Sequence, residues 1–296
     1  MASSSALNAK SHFHARSNSL PSRPHPIVSQ IGEKLCILKS TEEAAATSSS
    51  IRNNITGLTD LCDSFNNLLL LPLTQQALAQ ECNEKQIDQV LDLSLGLMDV
   101  CSTTNNALLQ IKEDTQELES ILRRRRGGES SLANEVGEYL SSRKKANKAI
   151  QKSIRDLKSR CKIFSSSDNE DAGMLVILNI LREVEQVTLA VFESVLSYTC
   201  GTKTQSKAKG WSLVSKLMQS KRVSKPEDGN EFEKVDAELY SLMHQKTRKC
   251  SSATAENALH LLENLELSIQ DLEEALERLQ RRLIKTRVSL LNIINH

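Results

Sequence analysis

Residues 258–293 read ALHLLENLELSIQDLEEALERLQRRLIKTRVSLLNI and carry the clearest periodic signal in the chain. Within this stretch, mostly apolar residues recur by four and three across five heptads, the spacing of a coiled-coil seam on one face of a helix. The seam positions are Ala258, Leu262, Leu265, Ile269, Leu272, Leu276, Leu279, Leu283, Thr286, Leu290 and Ile293. A second apolar set widens the stripe, as is typical of a helix with neighbours on more than one side. The stretch therefore predicts a long C-terminal helix that packs against other helices.

The remainder of the chain follows the same helical period. Its 296 residues include only 3% aromatics, ten glycines and five prolines, and no proline lies between Pro72 and Pro226. Because proline interrupts a helix, its absence over that stretch permits long helices. Apolar spacing predicts helices over residues 27–39, 42–65, 84–126, 131–164, 168–199 and 231–249, and a short helix that opens at Pro72. The predicted fold is all-α, an elongated antiparallel helical bundle with a long C-terminal coiled-coil-like helix.

Composition divides the chain into an arm and a bundle. Residues 1–26 are rich in serine and proline, carry basic but no acidic residues, and offer too little apolar surface to offset the entropy of ordering. We therefore expect residues 1–26 to be a disordered basic arm and residues 27–296 to be the helical bundle. Residues 202–230 form a basic Ser/Lys-rich insertion after Gly201, which is expected to end the preceding helix. The arm also fits an organelle transit peptide, so a plastid location is the alternative to a cytoplasmic one.

Charge, cysteine usage and the motif search argue against several function classes. The net charge is +1, and no nucleic-acid-reading motif accompanies the basic residues, so no nucleic acid is expected. The seven cysteines are scattered and form no C-x-x-C pair, a pattern that favours a reducing compartment over disulfides or a zinc site. No apolar run reaches the roughly 18 residues needed to cross a bilayer. Glycine-rich phosphate loops, nucleophile elbows and paired metal ligands are absent from the sequence, so we expect no cofactor, no metal and no enzymatic activity.

The arm contains one short motif that predicts a specific partner. Residues 16–21 read RSNSLP, the R-S-x-S-x-P pattern that 14-3-3 proteins recognise when its second serine is phosphorylated. The residues that carry it are Arg16, Ser17, Ser19 and Pro21. A phosphate on Ser19 adds about −1.5 to −2 charges and acceptor oxygens for an arginine cluster. The motif predicts a phosphoprotein that binds 14-3-3 proteins, and a chance match in a Ser/Arg/Pro-rich tail is the alternative.

Two basic segments lie within the predicted bundle. Residues 143–162 carry nine basic residues against the single acid Asp156, and we expect them to pair with the acid-rich segment 81–119 rather than with lipid headgroups. Residues 202–225 combine lysines with an amphipathic apolar patch, for which docking on a membrane or partner and tucking into the bundle as a lid are equal alternatives. The residues of this candidate patch are Trp211, Leu213, Val214, Lys216, Leu217, Met218, Lys221 and Arg222.

Three features give the chain a family resemblance. They are the arm His14-Ala-Arg-Ser-Asn-Ser-Leu-Pro-Ser-Arg-Pro-His-Pro26, the segment Gly210-Trp-Ser-Leu-Val-Ser-Lys-Leu-Met218, and the leucine-rich C-terminal helix. With these, nearly the whole chain resembles a land-plant family of helical proteins similar to the BYPASS proteins, which are associated with root and shoot development. The resemblance implies a plant source and a role in developmental or stress signalling. It supplies no catalytic residues, cofactor or defined ligand.

These observations predict a non-enzymatic helical adaptor or regulatory protein. The alternative is a peripheral membrane protein that binds anionic lipid through residues 202–225. The heptads allow the last helix to pair within the chain or with a second copy. Because the neighbouring predicted helices are long enough to cover the seam, a monomer is favoured over a coiled-coil homodimer.

Overall fold

A computed structural model describes residues 25–41, 47–81, 84–124, 132–164, 172–201, 230–244 and 252–294. These residues are almost entirely helical and include no strand, so the predicted all-α helical bundle is confirmed for the described ranges. The helices are α1 (Pro26–Ser40), α2 (Ser48–Leu69), α3 (Pro72–Glu81), α4 (Glu84–Arg124), α5 (Leu132–Phe164), α6 (Ala172–Cys200), α7 (Glu231–His244) and α8 (Ser252–Ile294). Each helix predicted from the apolar period has its counterpart among them.

Local capping interactions set where the first helices begin. The Ser50 amide donates to Thr47 Oγ1 at 3.2 Å and the Thr47 amide donates to Ser50 Oγ at 3.1 Å, which makes a capping box before α2. Helix α2 therefore begins at Ser48, later than the residue 42 expected from the apolar spacing. Helix α1 begins at Pro26, the last residue assigned to the arm, and Pro72 opens α3 as predicted. Proline suits the first turn because an amide there has no acceptor within the helix.

Helix α8 buries the apolar seam that its sequence predicts. It packs against α2, α3, α4 and α7 of the same chain. The six consecutive seam side chains at its middle are fully buried, and they are Leu262, Leu265, Ile269, Leu272, Leu276 and Leu279. Burying one such side chain contributes roughly 1.5 to 3 kcal/mol. The apolar stripe predicted from the four-three spacing is thus covered within one chain.

Polar contacts between α4 and α8 fix the relative direction of these two long helices. Lys112 Nζ lies 2.5 Å from Glu273 Oε2, and Arg287 Nη1 donates to the Leu91 carbonyl at 2.5 Å. Residue numbers fall along α4 as they rise along α8 between these contacts, so the two helices are antiparallel. Arg123, near the end of α4, pairs with Glu263, so α4 runs beside α8 from Arg287 back to Glu263.

Candidate functional site

The residues of both predicted sites lie outside the described ranges. This applies to the arm motif of Arg16, Ser17, Ser19 and Pro21, and to the insertion patch of Trp211, Leu213, Val214, Lys216, Leu217, Met218, Lys221 and Arg222. The structure instead places the two residues that flank the insertion, Gly201 and Asn230. Their surroundings define where residues 202–229 leave the bundle and where they return.

The two residues that flank 202–229 both donate a hydrogen bond to one carbonyl oxygen at the end of α6. The Gly201 amide donates to the Tyr198 carbonyl at 3.1 Å, and Asn230 Nδ2 donates to the same oxygen at 3.3 Å. Asn230 Oδ1 also accepts the Glu233 amide at 2.8 Å, which caps the first turn of α7. Gly201 ends α6 as predicted, with a φ of 64° that costs glycine nothing. The segment therefore departs and returns at the same point of the bundle.

An arginine holds α7 in place beside this point. Arg143 of α5 donates through Nη1 to Asp236 Oδ1 at 2.8 Å and through Nη2 to Asp236 Oδ2 at 2.6 Å. Its guanidinium carbon lies 5.5 Å from the Tyr139 ring centroid and 5.1 Å from that of Phe232, within the range of a cation–π contact. We call Tyr139, Arg143, Phe232 and Asp236 the arginine clamp. The clamp joins α5 to α7 at the base of residues 202–229.

Burial shapes the chemistry of the arginine clamp. The Arg143 side chain is 8% exposed and that of Asp236 is 31% exposed. Burial opposes the charge on Arg143, but hydrogen bonds to Asp236 and the proximity of Tyr139 outweigh it, so the pKa of the guanidinium is raised. Burial also raises the pKa of Tyr139. The clamp is therefore a charged, bidentate pair with aromatic neighbours, a geometry that lysine cannot reproduce.

The sequence contained one unrecognised signal of the clamp. Arg143 sits on the buried stripe of α5, between Val136 and Ile150, where the helical period calls for an apolar residue. A charged residue at a core position requires a partner. In the sequence, Arg143 stood out only as one member of the basic segment 143–162, and nothing pointed to Asp236 as its partner.

The basic segment of α5 divides into paired and unpaired residues. Arg160 pairs with Asp92 and lies 3.9 Å from Asp99, both on α4, as the sequence analysis expected. Lys158 instead pairs with Glu193 of α6, and Arg143 pairs with α7. Arg143, Lys158 and Arg160 are therefore neutralised by acids of three different helices rather than by α4 alone.

Five further cations of α5 are exposed and form no ion pair with a carboxylate in the described ranges. We call this set the lysine strip, and its members are Lys144, Lys145, Lys148, Lys152 and Arg155. With about 100° between successive helical residues, they cover an arc of about 100° centred opposite the buried stripe. No acid occurs on α5 between Glu138 and Asp156. As far as the described ranges extend, the strip is therefore a ridge of positive charge without ion-pair partners on the solvent side of α5.

The N-terminal third of α5 has the opposite charge. A cleft of about 290 Å³ opens there between α4 and α5. Carboxylates dominate its polar lining, namely those of Asp114, Glu117, Glu135 and Glu138, with Lys145 at its edge. Helix α5 thus presents an acidic end and a basic middle on neighbouring surfaces.

Cys62, Cys101 and Glu185 are buried, whereas Cys36 is exposed. Desolvation raises the pKa of the Cys62 and Cys101 thiols to about 12, which leaves them protonated and poorly nucleophilic. Desolvation also raises the pKa of Glu185, on α6, to about 7. Among the described residues no group of three or more His, Cys, Asp or Glu is placed to hold a metal ion. No helix in those ranges is long and apolar enough to cross a membrane.

Comparison with protein families identifies the family to which the chain belongs. The family model described as Protein BPS1 matches residues 54–293, from α2 to the end of α8. The chain belongs to the BPS1 family. This confirms the resemblance to the BYPASS proteins, and membership points to a role in plant development. Comparisons with curated proteins and with solved structures gave no significant match.

The BPS1 match separates the candidate features into two groups. The arginine clamp and the lysine strip both lie inside the matched residues 54–293, as does the insertion patch. The arm motif around Ser19 lies before them.

Proposed function

We propose that this BPS1-family protein is a non-enzymatic helical adaptor or regulatory protein in plant root and shoot development or stress signalling. The observation that carries the proposal is the anchoring of residues 202–229. The flanking residues Gly201 and Asn230 both donate to the Tyr198 carbonyl, and the arginine clamp secures α7 beside them. A rigid bundle that fixes both ends of a segment limits the entropy that the segment loses when it binds a partner. The adaptor acts by presenting this segment, with the patch around Trp211, to other proteins.

The arm supplies a switch for the same adaptor. Phosphorylated Ser19, in the R-S-x-S-x-P motif, binds 14-3-3 proteins through the arginine cluster that recognises phosphate. Arg16 lies three residues before Ser19, as basophilic kinases prefer. Because the motif precedes the first helix, a partner can engage it without unfolding the bundle. Phosphorylation then adds a partner without changing the fold.

A pull-down from plant extract tests the switch. The baits are the arm peptide of residues 10–26 phosphorylated on Ser19, its unphosphorylated twin, and a phosphorylated peptide with Arg16→Ala as the matched control. We expect the phosphopeptide alone to retain 14-3-3 proteins strongly. Equal retention by all three baits, or by none, contradicts the switch and turns attention to residues 202–229.

The alternative function is peripheral membrane association through residues 202–225. The observation in its favour is the combination of lysines with Trp211, Leu217 and Met218, which suits the interface of an anionic bilayer. Sedimentation with anionic vesicles separates the two functions. Binding that survives moderate salt and is lost in Trp211→Ala favours membrane association through this segment, whereas an absence of wild-type binding to the vesicles favours the protein adaptor.

A further inference from the structure

We infer that the lysine strip on α5 is a docking surface for an anionic phospholipid membrane. The inference goes beyond the adaptor function, because it assigns a binding surface to residues of the bundle itself and requires neither Ser19 nor Trp211. It rests on the charge, the shape and the composition of the strip.

The ion pairs of α5 in the described ranges involve Arg143, Lys158 and Arg160 and leave out the cations of the strip. Three acids that flank α5 already have partners: Asp92 and Asp99 face Arg160, and Glu193 faces Lys158. Lys145, near one end of the strip, also lines the acidic cleft between α4 and α5. The cations of the strip point between these flanks and form no ion pair with a carboxylate in the described ranges. An uncompensated row of cations produces a positive potential that attracts an anionic partner.

The shape of the strip suits an extended, flat partner. From Lys144 to Arg155 it runs for about 16 Å along the helix axis, at about 1.5 Å per residue. It forms a convex ridge, since α4 and α6 pack against the two sides of α5 and leave its outer face raised. A ridge offers no pocket for a single side chain or headgroup. A planar array of phosphate groups, in contrast, meets every cation of the ridge at once.

The composition of the strip separates a membrane from a protein partner. Four of the five cations are lysines, and none of the large apolar side chains that are exposed on the described surface belongs to α5. Protein interfaces are depleted in lysine and enriched in aromatic residues and arginine. Lysine is a flexible point charge that suits diffuse attraction to a charged surface rather than bidentate recognition of one carboxylate.

The surroundings of α5 also argue against a nucleic-acid groove. A helix that reads a duplex inserts into the major groove and contacts both walls. Helix α5 cannot insert, because α4 and α6 pack against it, with contacts from α6 at Asn147 and Lys158. Contact with a duplex is therefore limited to backbone phosphates along one ridge, whereas a bilayer surface extends beyond the strip in every direction.

The experiment is flotation of the purified full chain with phosphatidylcholine vesicles and with vesicles that contain about a third phosphatidylserine, at low and at physiological salt. The test variant is Lys144→Gln/Lys148→Gln/Lys152→Gln. The control is Arg124→Gln/Arg278→Gln/Lys285→Gln, which removes the same charge from exposed positions on α4 and α8. Circular dichroism checks that each variant keeps the helical content of the wild type.

We expect the wild type to bind the phosphatidylserine vesicles only, and to bind more weakly as salt rises. Three lysines at an anionic surface are worth about a 100-fold change in partition coefficient, so the strip variant loses binding by that factor. The control variant stays within about threefold of wild type.

Four results would overturn the inference. They are an absence of wild-type binding to phosphatidylserine vesicles, an equal loss in the control variant, binding to duplex DNA in place of vesicles, and a wild-type chain that self-associates through the strip. In the last case the partner is the acidic cleft of a second copy, and the strip variant changes the molar mass in solution instead of vesicle binding.

Discussion

Replacement of Arg143 by methionine tests the arginine clamp, which the adaptor function requires. Methionine keeps most of the apolar stem but removes the guanidinium. Asp236 then loses a bidentate partner at 2.8 and 2.6 Å. Breaking a fully buried ion pair costs about 3 to 5 kcal/mol, and water offsets part of that here because the Asp236 side chain is 31% exposed. We assign about 2 to 3 kcal/mol to the unpaired carboxylate.

The aromatic contacts add to this loss. Two cation–π contacts, with Tyr139 and Phe232, contribute about 1 kcal/mol together. Arg143→Met is therefore expected to lower the free energy of unfolding by about 3 to 4 kcal/mol, a large part of the stability of an ordinary domain. The control is Arg155→Met on the exposed face of the same helix. This substitution is expected to change the free energy of unfolding by less than about 0.5 kcal/mol.

Urea unfolding followed by circular dichroism measures these differences, and a double-mutant cycle with Asp236→Leu isolates the pair. Because removing both charges leaves neither buried without a partner, we expect a coupling energy of at least about 1.5 kcal/mol between the two positions. A coupling energy below about 0.5 kcal/mol, or an Arg143→Met variant as stable as Arg155→Met, refutes the reasoning.

Three further predictions concern single residues. The pKa of Glu185 in the folded chain is raised to about 7 from an ordinary value of 4.5. The protonated Glu185 side chain therefore contributes its full stabilisation below pH 4.5, and this stabilisation is lost as the pH rises to about 7. Glu185→Gln should thus gain up to about 3 kcal/mol relative to wild type between pH 4.5 and 8 in urea unfolding, and a constant difference contradicts this. Gly201→Ala should lower the free energy of unfolding by about 1 to 2 kcal/mol, because φ at this position is 64° and the new Cβ lies 3.1 Å from Asp236 Oδ2. The control Gly137→Ala, whose new Cβ meets open space on α5, should not destabilise the chain. Iodoacetamide should modify the exposed Cys36 of the native chain before the buried Cys62 and Cys101, and mass spectrometry that finds all three modified together would refute their burial.

The sequence predicted the helices because their cause is local. An apolar period of four and three over 36 residues leaves one helical face to bury, and α8 buries it along the whole seam. The end of α6 was equally predictable, since Gly201 adopts a positive φ that other residues avoid. The start of α2 was not predictable. Thr47 and Ser50 form a capping box there, but several Ser/Thr-rich stretches of the sequence could supply the same pair of side chains.

The candidate site depends on contacts that are remote in sequence. Arg143 and Asp236 are far apart along the chain and meet only because α7 packs beside α5. The lysine strip has a similar origin. The sequence showed nine basic residues in segment 143–162, but the positions of α4, α6 and α7 determine which of them find acids. Periodicity identifies the face of a helix and not the neighbour that covers it.

The apolar seam of α8 must be covered within one chain if the charged surfaces of the bundle are to remain available to partners. Size-exclusion chromatography with multi-angle light scattering measures this, because the chain has a mass of 32.9 kDa. We expect a concentration-independent mass of one chain for the wild type. A stable mass of twice that value, abolished by polar substitutions in the α8 seam that leave the helical content intact, would show that α8 pairs between copies and would contradict the account.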